Sequence, residues 1–440
     1  ALECGEGIAI SKVAKEFNAF VPAGTYSKGF TVVITASDGA QNTVEVEGPV
    51  TIAAGKATKI VDTTFAPFVD LNETVTETAN CYVITKGGCY FFDATVKGNG
   101  AAGIHETFAA AGADTDASLN PANAKLVWSE IDGLVSNVFY KEGHIYFSCS
   151  GKDGNAVVAA LDADGKVIWS WHIWSTLAPE DVECTEVSGE GNTHYYMNKN
   201  LGATEPLDPG MYYQWGRKDP FSLKLGFCSQ DTDDEIPVSG QAMYAHHGCF
   251  NPGDGSNPPA EIEDIYGTVQ YATANPSRYI AHMSNKIENN TDWEWFYKSD
   301  KFRWRWGLSH KDIGDAGGNA NCSFSPFGKT IYDPCPAGYM VATPTGWANG
   351  GGFERVGNDG ISTYGGKLFV PHSGFVYNCG WGCWDTDKSG DGTNDWAGLW
   401  SCSSSWGNVN NAFRLQDTDD PRSNYGAATG HPVRCEKLNK

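Results

Sequence analysis

Oxygen-bearing side chains recur at every second position in Asp385, Asp387, Ser389 and Asp391, with Gly390 where a calcium loop makes its sharp turn. Hard cations take such ligands, so this segment could fold around a calcium ion. No other cofactor is required. The position that should carry the closing bidentate glutamate holds Trp396 instead, and a solvated acidic loop fits the same residues.

Aromatic and amide residues crowd around this segment. Tyr377, Trp381, Trp384 and Trp406 lie in glycine-rich stretches beside Asn408, Asn410, Asn411, Asp417, Asp419, Arg422, Asn424 and Tyr425. Rigid aromatics give contact area at small entropic cost, and short polar side chains adapt their hydrogen bonds, which is the composition of a ligand-binding surface. A competing reading packs some of these indoles into the core of a strand-poor domain. Trp400 is expected in the core and Trp406 at the surface.

Catalytic motifs are not found, and the chain is expected not to be an enzyme. It has no Gly-x-Ser-x-Gly elbow, and His105-Glu106 is followed by Thr107-Phe108-Ala109 rather than by the second histidine of a zinc protease. Gly328-Lys329-Thr330 looks like the tail of a phosphate loop, but Ser323 stands where its first glycine belongs. Cys379, Cys383, Cys402 and His372 are zinc-ligand types at spacings that fit disulfides or free thiols better. Asp292, Glu294 and Asp300 flank Trp293 and Trp295 and are the place to look for a glycosidase pair, against chance proximity among 53 acidic residues.

The elements that must position these residues are strands. Of 440 residues, 41% are hydrophobic, 12% aromatic and 19% charged, with 52 glycines, enough for real cores joined by many turns. A balance of 31 Lys+Arg against 53 Asp+Glu, net −22, disfavours nucleic acid and anionic lipid surfaces. No apolar run is long enough to span a bilayer, and Ala1 to Ile10 lacks the regions of a signal peptide, so a mature or trimmed secreted chain is expected.

Phe30, Val32 and Ile34 alternate toward one face, Asp38-Gly39 turns the chain, and Val44, Val46, Val50 and Ile52 follow. Further strands are expected from Cys81 to Ile84, from Tyr90 to Phe92, and from Lys125 to Trp128. Others run from His144 to Ser148, from Ala156 to Ala160, and, after a turn at Asp162 to Gly165, from Lys166 to Trp174. Phe302 to Trp306 reads as a strand with three aromatics on one face and two arginines on the other. Of the 13 cysteines, Cys81 with Cys89 could staple a hairpin and Cys335 with Cys435 could tie the last region together; sequence does not fix connectivity.

Several segments resemble the fimbrillin-like pilins and pilus-tip adhesins of gut Bacteroidetes. Val21-Pro22-Ala23-Gly24-Thr25-Tyr26-Ser27 with Gly29-Phe30-Thr31-Val32 resembles the fimbrillin sandwich, and Ala79-Asn80-Cys81-Tyr82 resembles the opening of a domain that follows it. Lys199-Asn200-Leu201-Gly202-Ala203, Tyr212 to Phe221, Cys335 to Tyr339, Gly398 to Ser403 and Pro432 to Cys435 resemble the Fibrobacter major paralogous domain, which is similar to C-type-lectin-like folds. Phe369 to Phe375, Ala412 to Leu415, Arg422, Gly430 and Val433-Arg434-Cys435 look like the variable region of proteins diversified by retroelements, where adenine-rich codons change the ligand-binding residues.

The expected fold is mainly β with an α+β C-terminal domain. Residues 1–67 would form a fimbrillin-like β-sandwich, 68–180 a second sandwich-like domain, and 181–440 a C-type-lectin-like ligand-binding domain. The resemblance implies an extracellular adhesin at the cell surface or pilus tip. Its partners would be a glycan or protein ligand and other pilus subunits, with no nucleic acid and no membrane span. A structural pilus subunit without ligand binding and a carbohydrate-active enzyme are the alternatives.

Overall fold

The computed structural model describes residues 22–35, 41–56, 68–73, 77–100, 115–187, 191–222, 235–238, 241–245, 268–280, 295–296, 305–307, 329–343, 353–356, 361–373, 398–404, 411–415, 422–427 and 429–438. Packing divides the chain into two units, Ala1–Val69 and Asp70–Lys440. The described residues are mainly β.

In the first unit the alternation in the sequence becomes strand pairing. Strands β1 (Gly24–Tyr26) and β4 (Val50–Ile52) pair antiparallel, as do β2 (Phe30–Thr35) and β3 (Gln41–Val46), with Phe30 opposite Val46 and Val32 opposite Val44. The turn expected at Asp38-Gly39 lies outside the described residues.

Strand β5 (Val69–Asp70) stands at the boundary, and the second unit continues with β6 (Cys81–Ile84), β7 (Gly88–Asp93), β8 (Asn123–Ser129), β9 (Val135–Lys141), β10 (His144–Cys149), β11 (Gly154–Leu161) and β12 (Val167–Ser175). They form two four-stranded sheets, ordered β5-β7-β10-β9 and β6-β12-β11-β8. Strand β6 runs parallel to β12, while β11 pairs antiparallel with both β12 and β8. With β5 and β6 taken as one first strand split between the sheets, this is the immunoglobulin-type strand order, A-B-E-D against G-F-C. The sheets face each other through aromatic rings, with Phe92 4.5 Å from Tyr82 and 5.1 Å from Trp171.

This topology overturns the hairpin expected between Cys81 and Cys89. Strands β6 and β7 are consecutive but enter different sheets: Cys81 registers with His172 and Cys89 with Ser148. Both thiols are free.

The sheet β6-β12-β11-β8 is covered on both faces. All eight residues of β11 are buried, and so are the last seven of β12. A strand with no solvent side needs no polar alternation, which accounts for the continuous run Ala156-Val157-Val158-Ala159-Ala160. One cover is the facing sheet of the sandwich. The other is the remainder of the unit.

That remainder contributes β13 (Asp181–Thr185), β14 (Thr193–Met197), β15 (Tyr212–Gln214), β16 (Glu235–Val238), β17 (Gln241–Ala245), β18 (Arg278–Tyr279), β19 (Tyr339–Val341), β20 (Phe353–Arg355), β21 (Ile361–Tyr364) and β22 (Leu368–Pro371). It ends with β23 (Leu399–Ser404), β24 (Asn411–Leu415), β25 (Arg422–Gly426), β26 (Gly430–Pro432) and β27 (Cys435–Lys437). The last strands return to the first: β27 lies between β14 and β19 in the sheet β13-β14-β27-β19, and β26 pairs with β15. Three-stranded sheets β16-β17-β18, β20-β21-β22 and β23-β24-β25 complete the set. A short helix, Val269–Ala274, is capped by the Thr268 hydroxyl, which accepts from the Tyr271 amide at 3.1 Å.

A disulfide joins Cys335 to Cys435 across 100 residues of sequence, so the C-terminal strand is tied covalently to the segment entering β19. Trp400 is fully buried, as its sequence context suggested. The strand expected from Phe302 to Trp306 is not formed where it is described. Arg305 and Trp306 occupy a turn and are both fully buried, so the two residue types do not separate onto opposite faces. Among the described residues no helix is long and apolar enough to cross a membrane.

Candidate binding face and its foundation

Of the residues expected to bind a ligand, Tyr377, Trp381, Trp384, Trp406, Asn408, Asn410, Asp417 and Asp419 lie outside the described residues, as do Asp385, Asp387, Ser389 and Asp391 of the calcium-like segment. The positions of Asn411, Arg422, Asn424 and Tyr425 fall in β24 and β25. Asn411 registers with Gly426, Phe413 with Asn424, Leu415 with Arg422 and Ala412 with Tyr425. Because faces alternate along a strand, positions 411, 422 and 424 share one face of this sheet and position 425 takes the other.

The strands that lead into the aromatic segments are anchored by buried donors. The Tyr212 hydroxyl donates to the carbonyl of Ser373, the last described residue before 374–397. On the far side of that segment, the Trp400 indole N–H donates to the Tyr213 carbonyl at 2.6 Å, and the Trp215 indole donates to the Ser401 carbonyl at 3.0 Å. The Cys402 amide then bonds the Ala342 carbonyl at 3.1 Å. Each anchor saturates a backbone group that would otherwise be buried without a partner.

Beneath these anchors lies an interior rich in cations. The Arg434 guanidinium donates to the Asn200 side chain, the Met197 carbonyl and the Phe369 carbonyl at 2.9, 2.9 and 3.2 Å. Arg305 sits 5.0 to 5.2 Å from the rings of Trp215, Trp295 and Phe296, an arrangement in which ring quadrupoles replace part of the lost hydration. Gly216 allows this approach: its φ is +83°, and a Cβ there would stand 2.0 Å from Arg305 Cδ. Arg217 donates to Gln214 Oε1 and to the Arg278 carbonyl, both at 2.8 Å.

The same interior joins the C-terminal region to the double-covered sheet. Lys218 Nζ lies 2.6 Å from Asp219 Oδ1, which also accepts the Ser170 hydroxyl at 2.7 Å. His172 bonds Asn155 through Nε2 at 2.8 Å and Tyr213 through Nδ1 at 3.2 Å. The Trp174 indole donates to the Ala203 carbonyl at 3.0 Å. Asn80 donates to the Ile331 and Asp333 carbonyls at 2.6 and 2.8 Å and accepts the Trp169 indole N–H at 2.9 Å. Residues 170, 172 and 174 thus face the C-terminal region. Trp171, between them, faces the sandwich core.

Several motif residues take structural roles here. The Lys329 ammonium donates to the carbonyls of Cys335, Pro336 and Tyr339 at 2.5, 2.8 and 2.7 Å, which uses all three protons in holding the turn before β19. Trp295 is 1% exposed, so its indole offers no stacking face to a sugar. His372 Nε2 pairs with the Ser362 hydroxyl at 2.8 Å, and Cys402 is fully buried in β23. Among the described residues no group of three His, Cys, Asp or Glu side chains is arranged to hold a metal.

One cluster has no counterpart among the sequence motifs. His194 bonds Glu436 Oε1 through Nδ1 at 2.6 Å and Glu186 Oε1 through Nε2 at 3.2 Å, with both carboxylates almost fully buried. Residues 186 and 436 are 250 positions apart in sequence, so no local spacing announced it. The register of β13, β14 and β27 brings them together.

No protein-family model matches the chain, and no curated protein or solved structure is significantly similar to it.

Proposed function

We propose that this protein is an extracellular adhesin of a bacterial cell surface or pilus tip. In this reading, segments 374–397 and 405–421 form a variable, lectin-like face for a glycan or protein ligand. The observation that carries it is the closure of the C-terminal region. Strands β26 and β27 return to β15 and β14, and the described ends of the aromatic segments are held by buried indole and phenol donors. A framework held by buried donors where the aromatic segments leave it would suit a recognition surface, because it supplies ordering that a binding segment would otherwise have to provide itself. The C-type-lectin-like and fimbrillin likenesses rest on sequence motifs, and likeness of fold does not by itself transfer a function.

Glycan and host-protein arrays probed with the wild type, Trp384→Ala and Trp406→Ala test this reading. Ligands captured by the wild type should lose roughly tenfold or more in affinity when an aromatic anchor is removed. Equal binding by the variants removes these residues from the face, and no captured ligand at all favours a purely structural subunit. The gene supplies a second check: diversification requires a near-identical adenine-rich template for the codons of Asn408, Asn410 and Asn424.

A further inference from the structure

The cluster of Glu186, His194 and Glu436 holds together three parts of the chain that are distant in sequence. Glu186 follows β13, His194 is in β14 and Glu436 is in β27, the last strand. The second oxygen of Glu436 accepts the Thr343 amide and hydroxyl at 2.8 and 2.9 Å, which adds the segment leaving β19. The second oxygen of Glu186 accepts the Asn192 amide at 3.0 Å. Both imidazole nitrogens therefore face carboxylate oxygens whose remaining partners are fixed.

Only the protonated imidazole can donate to both carboxylates at once. A neutral ring has one N–H, so its other nitrogen would turn a lone pair toward a buried carboxylate oxygen. The charged groups that act on the ring are Glu436 and Glu186; Cys184 registers opposite His194 on β13, with Lys367 and Arg434 acting on its thiol, and the Tyr196 ring stacks 6.1 Å from the imidazole. Burial alone would lower the pKa of His194, but the hydrogen bonds and charges of Glu436 and Glu186 outweigh it and raise the pKa above 6.5.

We propose that Glu186, His194 and Glu436 form a proton-operated clamp on the C-terminal strand, closed while the imidazole carries its proton and released when it loses it. The sign follows from the raised folded-state value. The clamp contributes fully below about pH 6.5, the unfolded imidazole's range, and its contribution is lost as pH rises through the folded-state pKa. Across that window the folded-to-unfolded ratio falls by up to about tenfold per pH unit from this group.

Urea unfolding of the full chain between pH 6 and pH 9, paired with selective NMR titration of His194, tests the proposal. The wild type should lose stability as His194 deprotonates above pH 6.5, and Glu186→Gln should move both events to lower pH together. His194→Gln should flatten the alkaline fall; if that variant does not fold, the coupled shift in Glu186→Gln decides. An alkaline fall unchanged in Glu186→Gln, or a His194 titration that leaves stability unmoved, overturns the clamp.

Discussion

The double-covered sheet has two faces built from different chemistry. Toward the sandwich core, Trp171 packs on Phe92, and its indole N–H has no hydrogen-bond partner among the described residues. Toward the C-terminal region, Ser170, His172 and Trp174 bond Asp219, Tyr213 and the Ala203 carbonyl. One face is held by apolar area, which tolerates sliding. The other is held by directional bonds, each of which costs free energy if left unmade, so it fixes a single register between sandwich and C-terminal region.

The largest effects should come from breaking either face. Trp171→Ala opens a cavity in the apolar face and should cost about 3–5 kcal/mol in equilibrium unfolding. Asp219→Ala strands the buried Lys218 ammonium and should cost a similar amount, about 3–5 kcal/mol. The faces should then differ in rescue. Replacing Lys218 and Asp219 together with apolar residues of similar volume should recover much of the loss, because the unpaired charge is removed with its partner. No single change elsewhere refills the Trp171 cavity.

Next in size is the disulfide. Cys335→Ala with Cys435→Ala releases a 100-residue loop and should cost about 2–5 kcal/mol, read as a lower urea midpoint.

His172 gives the polar face a pH dependence that the apolar face lacks. Burial lowers its pKa to about 3, so the unfolded chain binds a proton below about pH 6.5 that the folded chain refuses. Stability should therefore fall as pH drops from about 6.5 toward 3, by up to about 1.4 kcal/mol per pH unit from this residue. His172→Gln should remove that slope, as urea titrations at pH 5 and pH 7 would report. The smallest effect is expected outside both faces. Lys437 pairs with Asp181 at the surface, where solvent screens the pair, and Lys437→Ala should change stability by less than about 1 kcal/mol.

The same contrast explains what could be read in the sequence. Alternation in the sequence marks the paired strands that contain Phe30 to Ile34 and Val44 to Val46. The Asp162 to Gly165 turn was marked by turn chemistry, with the Asp162 carboxylate accepting the amides of Asp164 and Lys166 at 3.0 and 2.8 Å. The pairing of Cys335 with Cys435 was among the options open. Cys81 and Cys89 misled because eight residues of separation look like a hairpin, whereas a first strand split between sheets is a long-range property. Arg305 misled for a related reason: alternation assigns arginine to solvent, yet aromatic rings and the missing Gly216 Cβ make room for it inside. Of the candidate face, the sequence offers residue types, and the structure adds the register of β24 and β25 together with the anchors beneath.

The sandwich and the C-terminal region belong to one packed unit, and the polar face between them should make them unfold as one body rather than as two modules in tandem. Amide hydrogen exchange of the full chain, comparing wild type with Asp219→Asn, tests it most directly. The slowest-exchanging amides of β7 and β10 and those of β14 and β27 should lose protection by the same factor. Loss confined to β14 and β27, with β7 and β10 unchanged, would contradict it.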